Sequence, residues 1–375
     1  MANQFVRIGT GHSTGTVPAG VRAGHYPNTY SPNGFPASQI SEVAGLPNCA
    51  GIHAWITHRA CEPTRGSYSF GPFLDYMDDC AAANVAVSAY VQDRSFGASI
   101  KNMPDYYDTE IAGGGIFQKA FGTTPKSWKP GIAARIFAFW TALLNAVKNH
   151  PALEFLKYEE GDSGLSTSEW SAAQFDPDDY LQFLKDWVLC CRAAAPNVII
   201  IAPANFLPSG PQDMEEWVQF CFDNKVGMGG PDVFPQPTAQ ARGPTWTDRV
   251  IKGQHYVSGP GSNDADWDNT GIDRRGSMCY MNDVQDPEMG KGYVWTPQQF
   301  YEYANSTTVG LGQNHLVWWR KNYTWGNRPG NQQVYWSATG QDPAFSQTNP
   351  NMIIKSWLQM GGHPMRTTKP TYWNV

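Results

Sequence analysis

Short apolar runs alternate with segments of helical period along the chain, and this alternation narrows the fold more than any other feature. Strands separated by helices pair in parallel, because a helical crossover returns the chain in the same direction and a tight hairpin does not. The runs predict strands at Ala50–Thr57, Val85–Val91, Leu153–Glu159, Val198–Pro203, Val226–Gly230, Ser277–Asn282 and His315–Trp319. A weaker first strand falls at either Phe5–Ile8 or Val21–His25. Helical spacing fits between most of them, at Phe73–Ala83, Ile132–Lys148, Pro177–Ala194, Asp213–Asn224, Pro297–Ser306 and Met352–Met360. Eight strands with intervening helices give the α/β fold of a (β/α)8 barrel, which takes about 250 residues before loop insertions. The 375 residues are therefore read as one barrel domain over 1–375. The alternative is an open doubly wound sheet, but no Gly-x-Gly-x-x-Gly turn follows an early strand.

Three connections are long: Gly97–Pro130, which holds Gly113-Gly114-Gly115, then Pro231–Arg275 and Asn322–Pro350. They follow the third, sixth and eighth strands, so all three emerge at the C-terminal face, where barrels carry their active sites. Long irregular loops in a compact domain are usually functional.

Composition restricts the partners. A net charge of −6 with no basic run argues against a nucleic-acid groove, which needs clustered Lys and Arg. No run of about 18 apolar residues suggests a membrane span. The opening Met-Ala-Asn-Gln-Phe-Val-Arg has no long apolar core, so no signal peptide is expected and synthesis in the cytoplasm is. Fifteen Trp in a chain with only 16% charged residues suit a site that stacks sugar faces, or an aromatic-rich core. Seven cysteines form no Cys-x-x-Cys pair, so no zinc site is expected. Asp264-Ala-Asp266-Trp-Asp268 begins like a calcium loop, but Asn269 and Arg275 stand where the pattern needs Gly and Glu. No metal or cofactor is expected. A Gly-x-Ser-x-Gly elbow is missing as well, which disfavours serine hydrolase chemistry.

Ile52-His-Ala-Trp-Ile-Thr-His-Arg-Ala-Cys-Glu62-Pro63-Thr-Arg-Gly66-Ser-Tyr68-Ser-Phe70 reads as a strand, a polar turn and the approach to a helix. Its Glu-Pro, two residues, Gly, one, Tyr, one, Phe resembles the second βα unit of family-42-type β-galactosidases and other clan A glycoside hydrolases. The resemblance implies a barrel that cleaves glycosidic bonds with two carboxyl groups, one an acid, the other a nucleophile or a base for water. It covers residues near 50–96 and 153–160 as motif, and the rest only as a strand plan.

In that clan the acid stands at the end of the fourth strand, after an Asn. Here Glu159 takes the Asn position and Glu160 the acid position. Adjacent carboxylates also raise one pKa, which suits an acid. The clan's second carboxylate is a Glu ending the seventh strand, and this chain departs from the pattern. The strand reads Ser277-Met-Cys-Tyr-Met-Asn-Asp283, so Asp283 is the nearest candidate, followed by Asp286 and Glu288. Other strand ends supply substrate-binding candidates: His58, Arg59, Gln92, Asp93, Arg94, Asn205, Asp232, Trp318 and Trp319. Asp93 and Arg94 could equally pair with each other. A tryptophan at the end of strand eight resembles the clan's sugar platform. The expected partner is thus a carbohydrate, with oligomeric state open. The Gly- and Asn-rich loops also suit a phage-type polysaccharide depolymerase, carried on a virion or released by lysis. The missing strand-seven Glu keeps a non-catalytic carbohydrate-binding or structural barrel as the alternative.

Overall fold

The structure is a computed structural model. It describes residues 21–29, 32–95, 97, 100–119, 122–203, 207–208, 211–231, 279–282, 297–305, 313–318, 358–365 and 367.

Within these residues eight parallel strands form one sheet. They are β1 (Gly24–Pro27), β2 (Gly51–Thr57), β3 (Ala86–Gln92), β6 (Leu153–Tyr158), β7 (Ile199–Pro203), β8 (Gly227–Pro231), β9 (Cys279–Asn282) and β10 (His315–Trp318). A separate antiparallel hairpin, β4 (Ile116–Lys119) with β5 (Gly122–Pro125), is inserted after β3. Neighbours in the sheet follow chain order, and β1 pairs with β10, Gly24 opposite His315. β1 also meets β2: the His25 N–H donates to the Asn48 carbonyl at 3.0 Å and the Thr29 N–H to the His53 carbonyl at 2.9 Å. The ring is therefore closed, and the fold is a (β/α)8 barrel rather than an open sheet.

Two apolar compartments follow from side-chain alternation along the strands. Tyr26, Ala86, Phe155, Ile199, Ile201 and Val317 cluster inside the barrel. Ile52, Ala54, Ile56, Val87, Ala89, Val91, Leu156, Ile200 and Ala202 face the helices. His53 belongs to the interior, its ring stacked 5.2 Å from Tyr90 and 5.6 Å from Phe155. At the N-terminal end Arg22 closes the barrel. Its guanidinium holds Glu154 at 2.8 Å, and Glu154 also takes a hydrogen bond from His315 at 2.9 Å.

Helix α5 (Pro130–Val147) shows why these segments are helical. Pro130 takes a first-turn position, where a missing N–H costs nothing. Ile132, Ile136, Phe139, Trp140, Leu143, Leu144 and Val147 are buried at spacings of three and four. Helix α7 (Pro177–Ala194) begins likewise, with the Asp176 carboxylate accepting the N–H groups of Asp178 and Asp179. The two helices meet through Trp140 and Trp187, edge to face at 5.2 Å. Of the described helices, α5 is long and apolar enough to cross a membrane by length and composition alone, though Arg135, Thr141 and Asn145 interrupt it and it is not the unbroken apolar run whose absence was expected. Its length and composition fit a barrel helix equally well, and one face lies on the sheet.

The expected strands and helices within the described residues match these elements closely; the helix expected at Met352–Met360 lies almost wholly outside them. The first strand takes the later of its two expected positions, and Phe5–Ile8 lies outside the described residues. Helix α1 (Ala37–Ala44) was not expected: at eight residues, with Ile40 and Val43 its buried aliphatic pair, it offers little periodicity to read. The connection 97–130 is not an irregular loop, since it contains a helical turn (Tyr106–Thr109) and the β4–β5 hairpin. The connections 231–275 and 322–350 lie almost wholly outside the described residues.

Candidate active site

Counting around the barrel, β6 is the fourth strand, and Glu159 and Glu160 follow its last residue at the C-terminal mouth. Phe155 and Lys157 point inward, so Glu159 continues on the inner side. It is nearly sealed, at 4% exposure. Its Oε2 accepts the backbone N–H groups of Asp93 at 3.3 Å and Arg94 at 3.2 Å. Gln92 hydrogen-bonds to the same carboxyl, and Gln92 Oε1 accepts the indole N–H of Trp55 at 2.7 Å. Trp55, Gln92 and Glu159 thus form a chain across three adjacent strand ends.

Glu160, one residue beyond, is partly buried, and its backbone carbonyl accepts from Arg94 Nη1 at 3.4 Å. Burial pushes its carboxyl above the usual carboxylate value; Asp162 adds to the rise, and Arg94, Lys157 and Lys119 oppose it. The Glu159 carboxyl is held well above that value, by burial first and then by the charges of Asp93 and Glu160, against Arg94 and the Gln92 hydrogen bond. One residue is sealed and proton-loving. The other is less fully covered, and its pKa is also raised.

The other expected site residues divide. Gln92 stands in the mouth beside Glu159. Asp93 and Arg94 do not present side chains to it. Asp93 turns outward to accept the Tyr158 hydroxyl at 2.7 Å, and Arg94, 1% exposed, donates to the Tyr180 hydroxyl at 2.8 Å and lies over the Tyr158 and Tyr180 rings. Their backbone N–H groups serve Glu159, and the Arg94 guanidinium also reaches the Glu160 carbonyl at 3.4 Å. His58 is buried in the helix layer, stacked 3.9 Å from Phe139, with Nε2 2.8 Å from Glu62. Arg59 pairs on the surface with Asp105 at 2.6 Å. Trp318 is fully buried on the outer side of β10, where its indole N–H donates to His25 Nδ1 at 2.9 Å, so it is no sugar platform. Side-chain alternation explains Asp93 and Trp318, which face the helix layer; Arg94 shares the register of Gln92 but is drawn to Tyr180, and His58 and Arg59 lie on the helical turn that follows β2. Asn205, Asp232, Asp283, Asp286, Glu288 and Trp319 lie outside the described residues.

Glu62, from the Glu-Pro turn, is buried and structural. Its carboxylate takes the Gly66 N–H at 2.7 Å, His58 at 2.8 Å and Arg135 at 2.5 Å, which fixes the β2 loop.

Three residues near the acid pair were not expected. Trp55 and Lys157 share the inward register of His53 and Glu159, so strand alternation alone would have found them. Lys119 sits on the inserted hairpin, and no sequence signal marks it.

No protein-family model matches the chain. No curated protein matches it by sequence. Solved structures do. The catalytic domain of β-amylase from Paenibacillus polymyxa superposes with a TM-score of 0.53 at 7% identity, over 80% of this chain and 93% of that one. A GH5_18 structure from Streptomyces cattleya, in complex with GlcNAc, gives 0.51 at 12% identity, over 79% and 71%. At such identities the likeness establishes the (β/α)8 fold that these glycoside hydrolases share. It does not reach the narrower resemblance to family-42-type β-galactosidases.

Proposed function

We propose that this barrel is a glycoside hydrolase in which Glu160 is the general acid. The observation that carries the reading is its position: a partly buried glutamate of raised pKa at the mouth end of the fourth strand of a closed parallel barrel. The comparisons support the reading, since the barrel is shared with glycoside hydrolases. In the reaction Glu160 gives its proton to the glycosidic oxygen as the bond to the anomeric carbon breaks. A second carboxylate either attacks that carbon or takes a proton from the water that does. Asp283 is our candidate, with Asp286 and Glu288 behind it. Glu159, with Gln92 and Trp55, would fix the floor of the sugar site rather than reach the scissile bond. The substrate is an oligo- or polysaccharide, and a phage-type depolymerase is one setting in which such a barrel would act.

Strand β9 favours a second reading. It ends Tyr280-Met-Asn282 with Asp283 after it and carries no glutamate, which suits a barrel that binds glycan without cleaving it. One experiment separates the two. Wild type is screened against a polysaccharide panel for reducing-end release and for binding. Hydrolysis that falls about 10²–10⁴-fold in Glu160→Gln, with binding retained, supports the acid role. Binding without hydrolysis in wild type refutes it in favour of the second reading.

A further inference from the structure

After β1 the chain runs beside the end of β2, and polar side chains on this stretch tie the two together. Thr29 Oγ1 accepts the Trp55 N–H at 3.1 Å, and Asn33 exchanges two hydrogen bonds with Thr57, both at 3.0 Å. Asn28 is fixed through its backbone instead. Its N–H donates to the Trp318 carbonyl at 2.7 Å, and the following N–H, of Thr29, donates to the His53 carbonyl at 2.9 Å. Asn28 pairs with His53 in parallel register and is the next inner position after Tyr26, so its side chain is on their side of the sheet. It is 1% exposed, and its Oδ1 has no hydrogen-bond partner among the described residues. His53, opposite it, is also fully buried. Its Nδ1 lies 2.8 Å from Ser88 Oγ, and its Nε2 has no partner among the described residues either.

Asn28 extends the row of inner residues at the mouth by one strand. Trp55, Gln92 and Glu159, at the ends of β2, β3 and β6, satisfy one another through hydrogen bonds. Asn28 stands at the end of β1, on the other side of Trp55, with its acceptor unmatched. A buried acceptor without a donor destabilises the fold. This one lies at the C-terminal end of a barrel strand, the face that takes ligands. We propose that Asn28 is a glycan-binding residue whose Oδ1 accepts a hydrogen bond from a neutral sugar hydroxyl held in the mouth beside Trp55. The proposal rests on the carbohydrate part of the function proposed above. With Ser88 as the donor to Nδ1, the proton of the neutral His53 ring sits on Nε2. Asn28 and His53 then offer one acceptor and one donor from facing positions, and a hydroxyl, which donates once and also accepts, is the complement of that pair. A cation would find no carboxylate on either residue. The rival occupant is a buried water, which fills the same role in many protein interiors.

The test sets affinity against stability. Calorimetry on the full chain uses the neutral oligosaccharide of the panel that wild type binds best, together with its singly deoxygenated forms. Asn28→Ala should weaken binding about tenfold, while its urea midpoint stays level or rises, because an unmatched acceptor has been removed. One deoxygenated form should bind wild type correspondingly more weakly and lose nothing further in Asn28→Ala, which identifies the hydroxyl that Asn28 reads. Where affinity and midpoint both fall, this comparison decides. Unchanged affinity overturns the proposal, and unchanged affinity with a lowered midpoint assigns Oδ1 to a buried water. Should Asn28→Ala fail to fold, Asn28→Leu, which keeps the branched shape, is read by the same criteria. If wild type binds glycan and cleaves none, the hydrolase reading falls alone and the affinities still decide for Asn28. If wild type binds no glycan of the panel, the Asn28 proposal falls.

Discussion

Gly122 stands against Ser95 so closely that a Cβ at position 122 would lie 1.9 Å from the Ser95 carbonyl oxygen. Its φ of +106° is also a conformation that side chains resist. Gly122→Ala must move the hairpin or the end of β3. The expected loss is about 1–3 kcal/mol for the backbone conformation alone, read as a lower urea midpoint. Amide exchange should speed up in 116–125 before it does in the barrel strands. An unshifted midpoint would mean that the hydrogen bond from the Ser95 N–H to the Thr123 carbonyl, at 2.9 Å, is looser than drawn.

Arg94 holds two acids in place, through its own backbone N–H to Glu159 and its side chain beside Asp93. Replacing it by Met leaves buried acid without its cation, at a cost of about 3–5 kcal/mol. Tyr180→Phe removes only the hydroxyl that accepts from Arg94 and should cost about 1.5–3 kcal/mol. Urea unfolding of both variants checks the order. If Tyr180→Phe proves the more damaging, the guanidinium is not the centre of this cluster.

Acid stability separates the two ends of the barrel. At the N-terminal end burial alone would raise the Glu154 carboxyl, but His315 and then Arg22 outweigh it and hold the pKa below the ordinary 4.5. A depressed value stabilises the fold fully above 4.5 and ceases to as pH falls through the folded pKa. Glu154→Gln should therefore flatten the acid limb of the stability profile. Glu160 has the opposite sign. Its raised value favours the protonated fold, so its contribution declines as pH rises from 4.5 through the folded pKa. Glu160→Gln should narrow its stability gap to wild type, or reverse it, as pH increases. Parallel profiles for the two variants would contradict these assignments.

Trp318 fills space between β10 and its covering helix layer. Trp318→Ala should cost about 3–5 kcal/mol and leave glycan affinity of the folded fraction unchanged, as measured by calorimetry well below the unfolding temperature. His25 adds a check, since its ring accepts from Trp318 at Nδ1 and reaches the His363 carbonyl at 2.9 Å through Nε2. Burial lowers its pKa to about 4. Losing the indole should raise that value as water enters. A loss of affinity without loss of stability would return Trp318 to the sugar site.

Periodicity carried the fold because each βα unit repeats one local rule. The run at 198–203 is apolar on both sides, as suits a strand between a packed interior and a helix layer, whereas 153–159 carries Glu154, Lys157 and Glu159 on its inner side. The placing of Glu159 and Glu160 at the end of the fourth strand was legible for the same reason, since strand end and strand count locate it. The direction of neighbouring side chains was legible too, but only by following alternation through each strand. That rule separates Gln92 from Asp93, and it turns Trp318 away from the mouth. Contacts between distant segments left no such trace. A Cβ on Gly164 would stand 2.6 Å from Lys119 Nζ, yet nothing in either residue marks them as neighbours, because their meeting depends on how an inserted hairpin folds back. Glu62 shows the reverse case, a conspicuous motif whose carboxylate is wholly spent on Gly66, His58 and Arg135.

The pairing of β1 with β10 has a cost in time. His25 and Trp318 are 293 residues apart, and synthesis at about 5–20 residues per second puts roughly 15–60 seconds between their appearances. Throughout that interval β1 and the most recently made strand are bare sheet edges, and bare edges recruit stray strands. Both closing strands are only four residues long, which makes each a poor template for foreign pairing. The seam of the barrel is thus built from strands as short as any in the described sheet, which protects a nascent sheet while it waits for its last member.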